Sequence, residues 1–351
     1  MSYKPVARNH TIDFMRIVLI FLIVCVHFPF NGFFGIVVKE IAQSAVPLFF
    51  MITGFYLYDE DKIKISQKAS KQAKHISVLC LWSFIIYLIY RILEIIVFKH
   101  SFSLWVKSSF NLKNMFEFIV LNDPPVLSTL WFLFAMLYDL FIISFVCKRI
   151  HIKKLFFLII PICIIRLCIG SYSVFVFGVK IDILWTKNFI FAGMLSMLVG
   201  FWIASLKDKL CNFFSNKILI LLSLFFGITT ICEWIFIYYA RKYNYCDYFI
   251  STIFFTTFVF ILWIKNPLFI KDNEQLCKRL GQIGKKYSLY IYIIHRMVSY
   301  ITDIFVRKFI PYFWGYYISV KAIIVFVISF GVSFVYLYLY NKIKNRRLTN
   351  E

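Results

Sequence analysis

Long apolar runs broken by short polar segments set the pattern of this chain. A helix that crosses a bilayer needs about 20 predominantly apolar residues. Runs of that kind fall at roughly 12–30, 36–58, 76–98, 126–147, 155–170, 183–205, 217–240, 247–265, 287–306 and 315–340. The pattern predicts an all-α polytopic membrane protein of about ten transmembrane helices. It forms one integral-membrane domain over residues 1–351, with no soluble domain. The fifth run is short, and a tight turn is expected between Arg241 and Asp247. The segment 99–125 changes the count to nine or eleven if it dips into the membrane. No internal repeat, Pro- or Ser-rich linker or low-complexity tract divides the chain. Transporters with inverted repeats pair broken helices, and no such pair stands out.

Composition strengthens this picture. The chain is 61% hydrophobic, 21% aromatic and 16% charged, whereas a soluble domain is about 45–50% apolar and about 25% charged. The net charge of +22 does not point to nucleic acid, because no soluble basic domain exists to carry such a site. It fits basic loops against anionic lipid. With the N-terminus inside, 24 basic residues fall in cytoplasmic segments, beginning with Lys4 and Arg8, against 11 outside. Both termini are therefore expected in the cytoplasm of a multi-pass plasma-membrane protein. No cleavable signal is expected, since the first run carries Asp13 and Arg16 and lacks a small-residue cleavage site. The nine Cys form no CxxC pair, so neither a structural disulfide nor a zinc site is expected.

Ionisable groups inside a membrane are costly, so they are where function is sought. The first helix carries Asp13, Arg16 and His27. Arg16 and His27 are eleven residues apart, which places them on one face about 16 Å apart. Asp13, three residues before Arg16, falls on the same side. One stripe thus holds a fixed cation at one leaflet and a titratable base at the other. The competing structural reading pairs Asp13 with Arg16 at the interface. His295 sits one turn from Tyr292 on the ninth helix, followed by Arg296. Asp139, Arg91, Glu94, Glu233 and Arg166 read as structural partners. Lys68, Lys71 and Lys74 share roughly one helix face, as membrane anchors or as a dock for a phosphorylated ligand. No Walker A loop, dinucleotide fingerprint or HExxH occurs.

Four stretches, in order, resemble the membrane-bound acyltransferase-3 family of bacteria. Ile12-Asp13-Phe14-Met15-Arg16 running to His27 is similar to its Arg-x10-His motif. Val46-Pro47-Leu48-Phe49-Phe50-Met51-Ile52-Thr53-Gly54-Phe55 is similar to its Pro-x-Phe-Phe-x-x-Ser-Gly segment. Leu130-Trp131-Phe132-Leu133 matches its Leu-Trp-Phe-Leu, and Ser288 to His295 its Ser-x-x-x-Tyr-x-x-His. Lys71 and Lys74 stand where members often have Arg, and Thr129 where many have His.

The resemblance implies acyl transfer, usually of acetyl, from an acyl-CoA to a hydroxyl of a cell-surface or lipid-linked glycan. Acyl-CoA is then a substrate, with no permanently bound cofactor and no metal. The glycan acceptor, membrane lipid and polysaccharide-assembly proteins are the partners, and no nucleic acid is one. No extracytoplasmic hydrolase-like domain is expected. On this reading Arg16, Lys71 and Lys74 hold the CoA phosphates. His27 is the general base for the acceptor hydroxyl, or else carries the acyl group covalently. Asp13, Trp131, Tyr292 and His295 support the site or bind acceptor. The competing reading is a transporter or flippase of a small polar molecule or glycan precursor, in which the same groups form a substrate or proton path. A scaffolding subunit is the third.

Overall fold

The computed structural model describes residues 9–241, 248–265 and 274–349. Lys4, Arg8, Cys246 and most of the turn expected at 241–247 lie outside the described residues. Among these residues fifteen α-helices follow one another, beginning with α1 (His10–His27), α2 (Gly32–Ala42), α3 (Ala45–Leu57), α4 (Lys62–Val97) and α5 (Phe102–Ser109). Next come α6 (Leu112–Leu121), α7 (Trp131–Val146), α8 (Ile159–Ile169), α9 (Ser173–Phe177) and α10 (Leu195–Ser205). The series ends with α11 (Lys207–Phe213), α12 (Asn216–Arg241), α13 (Ile250–Lys265), α14 (Glu274–Phe309) and α15 (Trp314–Thr349). No strand occurs among the described residues.

Among the described residues seven helical stretches are long and apolar enough to cross a membrane: His10–His27, Gly32–Leu57, Lys62–Val97, Ser128–Val146, Asn216–Ala240, Lys278–Phe309 and Pro311–Lys342. Phe189–Ser205 and Lys207–Phe213, bent by 75°, count as an eighth if they form one span. These coincide with eight of the ten apolar runs. The other two differ in form. The run at 155–170 is a 3-10 turn followed by the 11-residue α8. The run at 247–265 is the 16-residue α13, about 24 Å long against a hydrocarbon core of about 30 Å.

The chain divides into two compact units. Of the described residues, one holds 9–45 and 274–349, hence α1, α2, α14 and α15; the other holds 46–241 and 248–265. In the first, α1 lies along α14. Two glycines explain the approach: a methyl group at Gly284 would overlap the Asp13 carbonyl, and one at Gly281 would lie 2.9 Å from the His10 carbonyl oxygen. Asn9 caps α1 by accepting from the Thr11 and Ile12 amides at 2.9 and 3.3 Å, which removes two of the helix's unpaired donors. At its other end, Val24, Cys25 and Phe28 pack with Ala42, Val298, Ala322 and Val325.

In the second unit α4 and α7 run antiparallel. The Ser66 hydroxyl donates to the Ser144 carbonyl (2.6 Å) near one end and the Cys80 thiol to the Leu133 carbonyl (3.6 Å) near the other. Gly54 of α3 and Gly200 of α10 let those helices touch backbone to backbone. Glu233 accepts from the Tyr172 hydroxyl (2.7 Å) and the Ser251 amide (3.0 Å). Arg166 donates to the Phe191 carbonyl (3.1 Å) and lies 3.6 Å above the Tyr248 ring. Arg91 bonds Glu94 at 2.7 Å. Glu233, Arg166, Arg91 and Glu94 thus each have a partner within the protein.

Candidate active site

The stripe on α1 is built as its spacing requires. Arg16 lies in the second turn and His27 is the last helical residue. The Arg16 Nε is 3.6 Å from Asp13, whose side chain is only 3% exposed. This is the ion pair of the structural reading, and it leaves the Arg16 side chain 24% exposed. Pairing does not exclude a ligand, because a guanidinium has five donors.

His27 meets the ninth-helix histidine. The two rings, His27 on α1 and His295 on α14, stack with centroids 5.3 Å apart and planes 26° from parallel. His295 is fully buried. Its Nδ1 lies 2.6 Å from the Tyr292 carbonyl oxygen. A carbonyl only accepts, so Nδ1 carries a proton, and in the neutral ring Nε2 presents a lone pair. That Nε2 is buried and has no hydrogen-bond partner. Buried acceptors are normally satisfied, so this one suits a donor on a bound molecule. The Tyr292 ring packs 5.9 Å from the His295 ring.

Sequence reasoning passed over the cations around this pair. Phe28 is close to two of them: the Arg296 guanidinium is 5.4 Å and the Lys321 ammonium 4.7 Å from its centroid. Its edge faces the His295 ring at 6.4 Å. Lys321, one of the 11 basic residues expected in outer segments, stands on α15 and bonds Asp303 at 2.8 Å. The signal was available, since Asp303 and Lys321 are ionisable groups within apolar runs, by the criterion applied to Asp13 and Arg16.

The structure thus brings together Asp13, Arg16, His27, Tyr292 and His295 in one unit. Lys71, Lys74 and Trp131 belong to the other. Lys71 and Lys74 are exposed on α4, whereas Lys68 bonds Asp59 at 3.0 Å. Trp131 opens α7, and its carbonyl accepts from the Asn122 side chain at 3.1 Å. Asp139 on α7 is fully buried and neither carboxylate oxygen has a hydrogen-bond partner. The turn between α3 and α4 carries shifted carboxylates. Burial raises Asp59, but the Lys68 hydrogen bond, the Asp61 amide and nearby lysine charges outweigh it and hold it below the ordinary range. Hydrogen bonds from Lys153 and Tyr58 lower Glu60. Among the described residues no group of three His, Cys, Asp or Glu is placed to hold a metal ion.

The arrangement offers a proton acceptor at a helix end, a second imidazole stacked on it with an open lone pair, and cations nearby. A family model described as an acyltransferase domain matches residues 9–340, nearly the whole chain. Comparison with curated proteins and with solved structures finds no match.

Proposed function

The chain belongs to the acyltransferase-3 family, and from that premise we propose that it moves an acetyl group from acetyl-CoA to a hydroxyl of a cell-surface or lipid-linked glycan. It is a membrane acyltransferase; the donor, the acetyl group and the glycan are the proposal. The observation that carries the site assignment is the stacked His27–His295 pair at the end of the Arg16 stripe.

In the proposed reaction the His27 imidazole takes the proton of the acceptor hydroxyl. The oxygen attacks the thioester carbonyl, the carbon–sulfur bond breaks, and the CoA sulfur leaves with the proton from His27. The products are an O-acetyl ester and free CoA thiol. His295 holds the His27 ring by stacking and offers its unpaired Nε2 to an N–H or O–H of a substrate. Arg296 is a fixed cation beside Phe28, suited to the negative charge that grows on the thioester oxygen. Arg16 is the phosphate anchor of its unit. The stripe length of about 16 Å is on the scale of an extended pantetheine arm. In the other unit the exposed Lys71 and Lys74, one turn apart, are cations suited to a phosphate on charge alone. The setting proposed is a bacterial plasma membrane, alongside polysaccharide-assembly proteins.

The test follows labelled acetyl-CoA with purified protein in vesicles, beside His27→Ala and Arg16→Ala. Label released as acetate, or captured as protein or glycan ester, is expected from the wild type and from neither variant. A folded His27→Ala protein that turns over at the native rate sinks the mechanism. A wild type that binds no CoA favours the transporter reading instead.

A further inference from the structure

A cavity of about 580 Å³ opens at Phe28–Gly32, the segment that directly follows His27. That volume lies in the range of small-molecule sites, roughly 300–1,000 Å³. Its wall takes Lys39 from α2, Asp303 and Arg307 from α14, and Trp314 and Lys321 from the start of α15. It therefore holds three cations and one carboxylate.

The carboxylate is already committed. One Asp303 oxygen accepts from the Tyr317 hydroxyl at 2.7 Å and the other from Lys321 at 2.8 Å. Lys39 and Arg307 have no carboxylate partner among the described residues. Arg307 is nevertheless held in place, with its guanidinium 4.3 Å over the Trp314 ring. Stacking fixes the plane and leaves the N–H edges available to a ligand. The start of α2 adds to the positive character. Asn31, the residue before that helix, makes no capping hydrogen bond. Its side-chain amide donates instead to the Ser319 hydroxyl at 2.7 Å. The first amides of α2 thus have no side-chain acceptor, and the positive end of the helix dipole adjoins the cavity.

Two uncompensated cations, one of them a stacked guanidinium, beside an uncapped helix start make a receptor for a phosphate or carboxylate. The acceptor hydroxyl must reach His27, and this cavity begins one residue later. We propose that it holds an anionic group carried by the acyl acceptor, so that the acceptor is a phosphorylated or acidic glycan and not a neutral one. The proposal rests on the acyltransferase reading above, and it concerns binding, which is measured without turnover.

The full chain is placed in phosphatidylcholine vesicles, and binding of N-acetylglucosamine 1-phosphate is compared with that of N-acetylglucosamine. The phosphate form is expected to bind about tenfold tighter or more, with the preference shrinking as salt rises. Replacing both Lys39→Gln and Arg307→Gln is expected to remove the preference. Lys39→Arg with Arg307→Lys, which keeps both charges, is expected to retain most of it and so controls for misfolding. Equal binding of the two sugars by the wild type overturns the proposal, as does a preference that survives the double glutamine variant. Competition by free CoA assigns the cavity to the donor, and loss of the preference in vesicles containing phosphatidylglycerol assigns it to a lipid headgroup; either overturns the acceptor assignment. Acetyl-CoA turnover is scored separately. Turnover without sugar-phosphate preference removes the cavity proposal alone. Charge-dependent binding in a protein that never consumes acetyl-CoA leaves an anion site and removes the acyl-transfer premise.

Discussion

His27 is the last helical residue of α1, so a second element must hold its ring, and His295 does so by stacking. If His27 is the base, His27→Ala lowers acetyl transfer by roughly 10²–10⁴-fold, as loss of a general base does, in a protein that still binds CoA. In the proposed mechanism His295 positions the His27 ring and offers Nε2 to the acceptor, while His27 alone moves the proton. His295→Ala is therefore expected to lower kcat by less than His27→Ala does, with KM for acetyl-CoA little changed, in steady-state kinetics. A merely structural role would instead lower the amount of folded protein and leave kcat per folded molecule intact. The Arg16–His27 stripe was legible because helical period alone aligns residues eleven apart. The Asp13–Arg16 pair was legible because residues three apart face each other. The closeness of His27 to His295 was not, because it joins two helices far apart in the chain.

At the scale of elements, the apolar pattern located helices better than it bounded them. The run at 76–98 is the apolar part of α4, which starts at Lys62, and the run at 287–306 is the apolar part of α14, which starts at Glu274. Hydrophobicity ends where the bilayer would end, but Lys, Gln and Ala continue a helix readily. At 36 residues each helix is about 54 Å long, longer than the hydrocarbon core. The glycine contact between α14 and α1 carries a sharp prediction. A methyl group at 284 would overlap the Asp13 carbonyl, which is backbone and cannot turn away. Gly284→Ala should cost about 1–3 kcal/mol, read as a lower melting temperature in detergent. The turn between α3 and α4 predicts an acid limb. Asp59 and Glu60 are lowered by their lysine partners, so their contribution is present above the unfolded carboxylate value of about 4. It is lost as pH falls through the lowered folded values. Lys68→Ala and Lys153→Ala should flatten the fall of melting temperature on acidification. The Lys153 effect should be the smaller, since that pair is half-exposed and screened.

For the whole molecule, parity of the span count is a measurable property. Ten spans, or eight, put both termini on one side; seven put them on opposite sides. The excess of Lys and Arg in alternate segments predicts both termini inside. Reporter fusions at each end should both report the cytoplasm, and a C-terminal fusion that reports the outside would refute the ten-helix topology. That this is an all-helical membrane protein was determined by the sequence alone, because burial in lipid demands long apolar runs whose backbone bonds are satisfied within each helix. So was the Arg16–His27 stripe, since helical geometry is local. Only the tertiary structure decided that His295 covers His27, that Lys321 and Asp303 join Arg296 and Phe28 at that end, and that Lys39 and Arg307 share a cavity there. Each of these depends on which helix faces lie together. Side-chain packing and close glycine contacts between distant segments set those faces, and the pattern along one chain does not encode such partners as a local signal.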